Sequence, residues 1–301
     1  MIYTRSIGDI RLTNLIEYVG PTHDPFVTFP DFDASVVARN RDWLTNAHWY
    51  AHLQRLVIAI QIWIVQTGDK VILIDSGVGN RKPRAAARMH LLNTLVPQWL
   101  AAAGASFDQV THVVMTHLHG DHVGWNTVLD GDRWVPAFPK AHYLMPRLDF
   151  DYFKGLHEQN PAADPSFGDS VIPVLDAGLV DFVDEGDEIA GCLRAVFAPG
   201  HTPGQMNYWI GEGHQQAVFC ADIFHHPLQI TDPHLNTAFC VLPEVARKTR
   251  RDFLDRVADT GTLIMPCHFG WPHCGYVRRD SRAGAGGFAF VPAEPDLPQR
   301  N

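Results

Sequence analysis

The chain has 301 residues, 46% of them hydrophobic, and a formal net charge of −9. This length and hydrophobic content suffice to bury a large core, and although length alone allows two domains, we expect one domain over residues 1–301. The negative charge argues against a nucleic-acid-binding protein, because phosphate recognition needs clustered Lys and Arg.

The sequence carries no pattern typical of export or membrane insertion. Its first nine residues lack the basic stretch and apolar run of a signal peptide. The most apolar run, residues 56–65, is too short to span a bilayer and contains Gln61. The five cysteines are an odd number without a paired framework, which favours a reducing compartment. We therefore predict a cytoplasmic protein that binds neither membranes nor nucleic acids.

Two hairpins and a helix are predicted in the first half of the chain. The first hairpin occupies residues 2–18, and the second joins the apolar runs 56–65 and 71–74 across a Thr-Gly-Asp turn. A helix over residues 91–103 has helical apolar spacing and ends at Gly104, a favourable C-cap.

An aromatic-rich insertion at about residues 21–55 separates the two hairpins. Within it, Asp33 is a favourable N-cap for a helix that continues through residues 36–49. The aromatic side chains of this insertion belong to the core, to a homodimer interface or to the wall of an apolar pocket.

The second half of the chain repeats this alternation of strands and helices. Its predicted elements are strands near 180–183, 192–197, 205–210, 216–220 and 262–265, and a helix over 243–259. Strand groups followed by helices predict an α+β fold of the αββα sandwich type, with two mixed sheets packed face to face and helices outside. The segment from about 281 to 301 is rich in Gly, Ala and Pro and is predicted to be a flexible tail.

The densest chemical signal is the run from Thr116 to His122, which reads Thr-His-Leu-His-Gly-Asp-His and directly follows an apolar strand. Neutral imidazoles and carboxylates are the usual ligands of zinc and similar divalent ions. A catalytic site keeps one coordination position open for water, so four ligands in so short a run indicate two ions. The metal-capable residues of this run are His117, His119, Asp121 and His122.

Three further candidate ligands follow strand-like runs elsewhere in the chain. His201 lies in a Pro/Gly turn, Asp222 follows the strand that ends near 220, and His268 follows the strand that ends near 265. Strand ends that meet at one edge would gather these side chains on loops held by a rigid scaffold. The expected division places His117, His119 and His201 on one ion and Asp121, His122 and His268 on the other, with Asp222 bridging both.

These motifs resemble the metallo-β-lactamase superfamily. The resemblance rests on the Thr-His-Leu-His-Gly-Asp-His run, on Pro-Gly-His-Thr-Pro-Gly around His201, on Ala-Asp at Asp222 and on Cys-His-Phe at His268, preceded by an Asp-Ser-Gly turn at Asp75. Their order and spacing over residues 71–268 imply the ligand set given above. Within the superfamily, the phrase from His122 to Asn126 and the His225–His226 pair are similar to acyl-homoserine-lactone lactonases, methyl parathion hydrolases and a chlorothalonil dehalogenase.

The chain also departs from parts of that pattern. Many lactonases of the superfamily carry a tyrosine three residues after the bridging aspartate, where it polarises the substrate carbonyl. Here His225 takes that place, which weakens a lactonase assignment, and such assistance would have to come from His225 or His226. The sequence leaves three roles open for His225: a general acid, a substrate-binding donor or a solvated loop residue.

The remaining predicted roles concern residues near the ligands. Asp75 is expected to orient a ligating imidazole or to stabilise its own turn. Cys267 is expected to be a buried neighbour of the site. Phe269, Trp271 and His226 are the expected substrate-binding residues, and Asp121 and His225 the expected catalytic ones.

The sequence therefore predicts a hydrolase with two divalent ions per chain, expected to be zinc, that uses a metal-bridging hydroxide on an ester, a lactone or a related small apolar substrate. One alternative is a hydrolytic dehalogenase or organophosphate hydrolase on the same site. An alternative of another class is a mononuclear iron persulfide dioxygenase. The natural substrate, the native metal and the oligomeric state, for which a homodimer is one option, are not encoded in these motifs.

Overall fold

The computed structural model describes residues 2–213, 215–283 and 286–293. The strands formed by these residues are β1 (Ile2–Ile7), β2 (Ile10–His23), β3 (Trp49–Tyr50), β4 (Arg55–Thr67), β5 (Lys70–Ile74), β6 (His112–Val114), β7 (Thr127–Asp130), β8 (Arg133–Pro136), β9 (His142–Pro146), β10 (Val180–Val183), β11 (Glu188–Ile189), β12 (Leu193–Phe197), β13 (Met206–Glu212), β14 (Gln215–Ala221), β15 (Leu263–Pro266), β16 (Gly275–Arg279) and β17 (Phe288–Pro292). The α-helices are α1 (Pro25–Thr28), α2 (Ala34–Asn40), α3 (Val96–Ala102), α4 (Arg147–Gln159), α5 (Ile172–Asp176), α6 (Leu228–Thr231) and α7 (Pro243–Val257). None of the described helices has the length and apolar composition needed to cross a membrane.

The chain divides into two compact units. Unit 1 comprises Met1–Tyr18 and Ile60–Ala195, and unit 2 comprises Val19–Ala59 and Val196–Asn301. The boundaries fall inside strands β2, β4 and β12.

Two mixed sheets contain most of the strands. The first has the order β1-β2-β4-β5-β6-β9-β10, with β3 paired to β4, and its β5, β6, β9 and β10 are parallel to one another. The second runs from β11 to β17 in chain order, and within it β14 and β15 are a parallel pair. Strands β7 and β8 form a separate hairpin. The predicted α+β class with two mixed sheets is confirmed.

The core of unit 1 forms around near-continuous apolar strands. Strand β5 reads Lys-Val-Ile-Leu-Ile, and residues 72–74 are fully buried, as is typical of parallel strands. Helix α4 contributes Phe150 and Phe153 to the same cluster, which also contains Trp125 and Tyr143. Helix α4 and strands β7 to β9 were not predicted from the sequence.

The aromatic insertion forms much of one apolar cluster in unit 2. Phe29, Phe32 and Trp49 are buried together with Leu228 and Leu235 in this cluster. Burying such large rings stabilises the segment by roughly 2 kcal/mol for each ring. These three side chains therefore serve the core of unit 2, whereas the predicted homodimer stays a prediction.

Two predicted helices are shorter than expected. Asp33 caps α2 through Ser35 N, as predicted, but the helix ends at Asn40 rather than near residue 49. The Asn40 amide donates to Val36 O and its oxygen accepts from Trp43 Nε1, which closes the chain into turns. Helix α3 begins at Val96 because Pro97 fits the first turn of a helix.

Strand β17 lies inside the segment predicted to be a flexible tail. It pairs with β16 and buries Phe288 and Phe290, so the prediction of flexibility fails for residues 288–292. An apolar residue at every second position of this strand explains the burial. Residues 284–285 and 294–301 of the predicted tail lie outside the described residues.

A buried carboxylate connects the insertion to helix α6 within unit 2. Asp232 is fully buried and accepts hydrogen bonds from Arg39 Nη2 at 2.6 Å, Asn40 Nδ2 at 2.9 Å and Thr231 Oγ1 at 2.9 Å. Helix α2 is therefore held by hydrogen bonds to a charged group as well as by apolar packing.

We predict that Asp232→Ala lowers the free energy of unfolding by roughly 2–3 kcal/mol, because it leaves Arg39 and Asn40 without their acceptor. The value lies below the range for fully buried pairs since the Arg39 side chain is 31% exposed. Urea unfolding would measure the loss. Asp252→Ala on α7 removes an exposed carboxylate and should change stability by less than about 0.5 kcal/mol, so equal effects of the two variants would contradict the role of Asp232.

Candidate metal centre

In unit 1, the predicted ligand run begins where two parallel strands end side by side. Ile74 of β5 pairs with Val114 of β6, so Asp75 and Thr116 follow at the same edge of the sheet. The Asp75 carboxylate accepts from Thr116 N at 2.7 Å and from Thr116 Oγ1 at 2.8 Å. Asp75 has a φ of +56°, a left-handed conformation that is strained for a residue with a side chain. Such strain persists only where surrounding contacts hold it, as those to Thr116 do here.

His122 is oriented by Asp75. Its Nδ1 lies 2.8 Å from Asp75 Oδ2, so the hydrogen of the neutral ring sits on Nδ1 and Nε2 carries a lone pair. Asp121 Oδ1 lies 3.8 Å from this Nε2. The contact with His122 Nδ1 is the one that the predicted orienting role of Asp75 requires, and the contacts with Thr116 fix the start of the ligand run to the end of β5.

His117 and His119 lie next to each other in the same loop. His117 Nε2 is 3.1 Å from His119 Nδ1, and the two rings meet edge to face. The rings of His117 and His122 are 4.0 Å apart between centroids. Unit 1 therefore brings its three predicted ligand imidazoles together, with Asp121 beside them.

Polar groups outside the motif fix the backbone of this loop. Ser76 N donates to His122 O at 2.6 Å, and Leu118 N donates to Asp149 Oδ2 at 3.0 Å. Asp149 is fully buried in the first turn of α4. The sequence offers no local signal for it, because it lies 27 positions beyond His122 in a helix that was not predicted.

Glu17 is a second residue that the sequence interpretation missed. Its buried carboxylate accepts from Val78 N at 2.6 Å and from Trp125 Nε1 at 2.7 Å. Burial raises its pKa to about 7, although these hydrogen bonds act in the opposite direction. Gly77 has a φ of +64°, and a Cβ there would lie 2.2 Å from Glu17 Oε2, so the turn after Asp75 requires glycine. The sequence feature that could have drawn attention to Glu17 is its position as a glutamate within the apolar run of β2.

In unit 2, a second parallel pair presents Asp222 and His268. Ala221 of β14 pairs with Pro266 of β15, and the register shifts by a bulge between Phe219 and Ala221. Ala221 then adopts a φ of +46°. Bulges beside functional sites commonly redirect a side chain, and here the bulge immediately precedes Asp222.

Three imidazoles face the carboxylate of Asp222. The Nε2 atoms of His201, His225 and His268 lie 3.2, 3.1 and 3.2 Å from Asp222 Oδ2. All four side chains are buried. The Nε2 of His268 is also 3.1 Å from Asp222 Oδ1. Unit 2 therefore brings together its three predicted ligands and the predicted catalytic residue His225.

The hydrogen-bonding pattern of His268 indicates what this group can hold. Its Nδ1 lies 2.8 Å from Ala59 O, which can only accept, so Nδ1 carries the hydrogen and Nε2 a lone pair. That lone pair faces a carboxylate, an arrangement that requires positive charge between them. One carboxylate could balance one imidazolium but is faced by three imidazoles, so a divalent cation fits this donor set better than extra protons.

The other residues predicted near His268 have different surroundings. Phe269 is fully buried in the core of unit 2 and packs on Phe290 at 5.3 Å, so its predicted substrate contact gives way to a core role. Trp271 is 38% exposed and keeps an accessible surface. Cys267 is buried.

His226 also differs from its predicted role as a substrate contact. It is fully buried, and both ring nitrogens bind the backbone: Leu228 N donates to Nδ1 at 3.2 Å, and Nε2 donates to His48 O at 2.9 Å. Burial lowers the pKa of His226 to about 3 and those of His48 and His273 to about 4. These three histidines are neutral structural residues at physiological pH.

Comparisons with known proteins show what the chain is similar to. The family model described as metallo-beta-lactamase superfamily matches residues 57–268. A probable metallo-hydrolase of Mycobacterium tuberculosis is 24% identical over 201 residues, which cover 57% of this chain and 58% of that protein. The chain therefore spans less than two thirds of the length of this relative.

Two solved structures resemble this chain along nearly its whole length. The hydrolase AbOPH, described as a member of the beta-lactamase superfamily, has a TM-score of 0.79 and 22% identity, covering 98% of each chain. AidC, a dizinc quorum-quenching lactonase solved with a product, has a TM-score of 0.77 and 21% identity, covering 97% of each chain. At these identities the likeness establishes the fold.

We predict that the three buried neutral histidines make the protein acid-labile. Each has a folded pKa below the unfolded value near 6.5, so the unfolded chain binds more protons and stability falls as pH drops below 6.5 toward 4. Each contributes up to about 1.4 kcal/mol per pH unit, partly offset by Glu17, whose raised pKa acts in the opposite sense.

Urea unfolding of the wild-type protein and His48→Gln between pH 5 and 7 would measure this dependence. The variant should lose about 1 kcal/mol of the pH-dependent change per unit below pH 6. Parallel stability curves for the two proteins would contradict a neutral buried His48.

Proposed function

The chain belongs to the metallo-beta-lactamase superfamily, and we propose that it is a dinuclear metal-dependent hydrolase of carboxylic esters, including lactones. The observation that carries this proposal is the lone pair of His268 Nε2, fixed by Ala59 O and directed at Asp222 together with the imidazoles of His201 and His225. Buried ring nitrogens and carboxylate oxygens in this arrangement suit a shared cation better than hydrogen bonds to one another.

The proposed ligand set is the one that the sequence motifs imply. The order of the motifs and the family model, which matches residues 57–268, support it. One ion would be held by His117, His119 and His201, the other by Asp121, His122 and His268, with Asp222 shared. Zinc is the proposed metal, in keeping with the His/Asp donor set.

The protein residues divide the work of hydrolysis. Divalent cations, when bound, supply Lewis acidity: they lower the pKa of water and polarise a carbonyl. Asp75 and Ala59 O hold His122 and His268 in the tautomer that binds a cation. Asp121, whose side chain is 22% exposed, accepts a proton from the attacking water and returns it to the leaving group.

The proposed substrate is a small neutral molecule with an apolar part. The formal charge of −9 disfavours anionic substrates at long range. Trp271 offers exposed aromatic surface three residues beyond His268 and is the proposed substrate contact. Phe269 and His226 are not part of this proposal, since both are buried.

We predict that Asp222→Ala reduces the metal content from two ions per chain and lowers kcat for an aryl ester by at least about 1,000-fold, because both ions lose a ligand. Metal analysis by mass spectrometry and ester turnover would be measured on the same samples. Asp252→Ala removes an exposed carboxylate of α7 and should leave both the metal content and kcat unchanged. An Asp222→Ala protein with full metal content and rate would refute the bridging role.

A substrate panel on the wild-type protein tests the reaction class. It would contain an acyl-homoserine lactone, an aryl ester, a thioester, a phosphotriester and a chlorinated aromatic compound. Highest kcat/KM on the ester or lactone supports the proposal, whereas a preference for the phosphotriester or the chlorinated compound overturns the substrate class. One iron per chain with oxygen uptake on a persulfide would overturn the hydrolase itself.

A further inference from the structure

We propose that His225 is a metal ligand, which binds with Asp222 and His268 to one ion. This inference rests on the proposed function and deepens it. It assigns His225 to metal binding, in which a general acid or a substrate-binding donor at this position would play no part. It adds a third imidazole beside Asp222, to His201 and His268.

The geometry of His225 is that of a ligand set. Its Nε2 lies 3.1 Å from Asp222 Oδ2, and one donor atom from each of Asp222, His225 and His268 lies within 4.8 Å of the others. The rings of His225 and His268 are nearly parallel, at 17°, with centroids 5.2 Å apart. Two parallel imidazoles thus present Nε2 to the same carboxylate. Two imidazoles and one carboxylate form a set that binds zinc or iron(II).

A hydrogen bond from His225 to Asp222 is the alternative to a shared cation. Asp222 Oδ2 has three imidazole Nε2 atoms, those of His201, His225 and His268, within 3.2 Å. Because His268 Nε2 also lies 3.1 Å from Oδ1, the two carboxylate oxygens together have room for three donors. The two possibilities differ in what His225 must supply, a hydrogen-bond donor or a metal ligand, and the variants below separate them.

The segment that carries His225 is held rigidly. His225 N donates to Gln229 Oε1 at 2.6 Å, and Gln229 Nε2 donates in turn to Leu235 O at 2.9 Å. The ring of Phe239 packs 6.0 Å from the His225 ring. Side chains held in one orientation by packing and hydrogen bonds make good ligands. A histidine that acts as a general acid on a moving substrate would benefit less from being held in one orientation.

The experiment is a cobalt(II) titration of full-length protein stripped with chelator, followed by visible absorption. His225→Ala should raise the Kd of one cobalt ion by more than about 100-fold, beyond the 10- to 100-fold typical of losing an outer hydrogen-bond partner. His225→Gln keeps a donor near the position of Nε2 but binds metal poorly and should match His225→Ala. His225→Glu provides a carboxylate ligand of similar reach, so it should restore the affinity to within about 10-fold. Phe239→Leu, which only packs on the ring, is the matched control and should leave both Kd values within about threefold.

Recovery of affinity by His225→Gln, failure of His225→Glu to recover it, or unchanged cobalt binding by His225→Ala would each overturn the inference. If His225→Ala does not fold, the Gln and Glu variants still decide between a donor and a ligand. The outcomes also separate this inference from the proposed function. Two ions per wild-type chain that are lost in Asp222→Ala but retained in His225→Ala would leave the dinuclear hydrolase in place and remove His225 from its ligands.

Discussion

An imidazole can bind a cation through Nε2 only while its hydrogen is held on Nδ1, and this constraint governs the candidate site. His122 meets it through Asp75, and His268 meets it through Ala59 O. His226 shows the opposite arrangement, because its Nδ1 accepts from Leu228 N and its Nε2 donates to His48 O. His122 and His268 thus keep a lone pair on Nε2, whereas His226 uses both ring nitrogens on the backbone.

Pairing between parallel strands places the candidate imidazoles close to the polar groups around them. In unit 1, β5 and β6 end together, which brings Asp75 to Thr116 and His122. In unit 2, β14 and β15 end together, and a bulge followed by a left-handed Ala221 directs Asp222 toward His268. In each unit a non-glycine residue with positive φ, Asp75 or Ala221, lies at the end of one of these parallel strands, so strain sits beside the candidate ligands.

Much of the site could be predicted because its residues lie in short motifs that follow apolar strands. The groups that orient them could not, since Glu17 and Asp149 are distant in sequence from the loops they fix. The role of Phe269 was also beyond the sequence, because proximity to His268 does not reveal that its ring points into the core. The predicted end of a helix was wrong where a side chain such as that of Asn40 competes for hydrogen bonds to the backbone.

The buried neutral histidines also bear on metal binding by unit 2. His226 immediately follows His225, and the amides of both residues donate to Gln229 Oε1, so the loop that presents His225 is fixed by the same contacts that bury His226. Burial keeps His226, His48 and His273 uncharged near neutral pH. A neutral His226, next to His225, adds no positive charge to the loop that also carries Asp222. Neutral packing around the loop thus serves both the stability of unit 2 and the electrostatics of its ligand group.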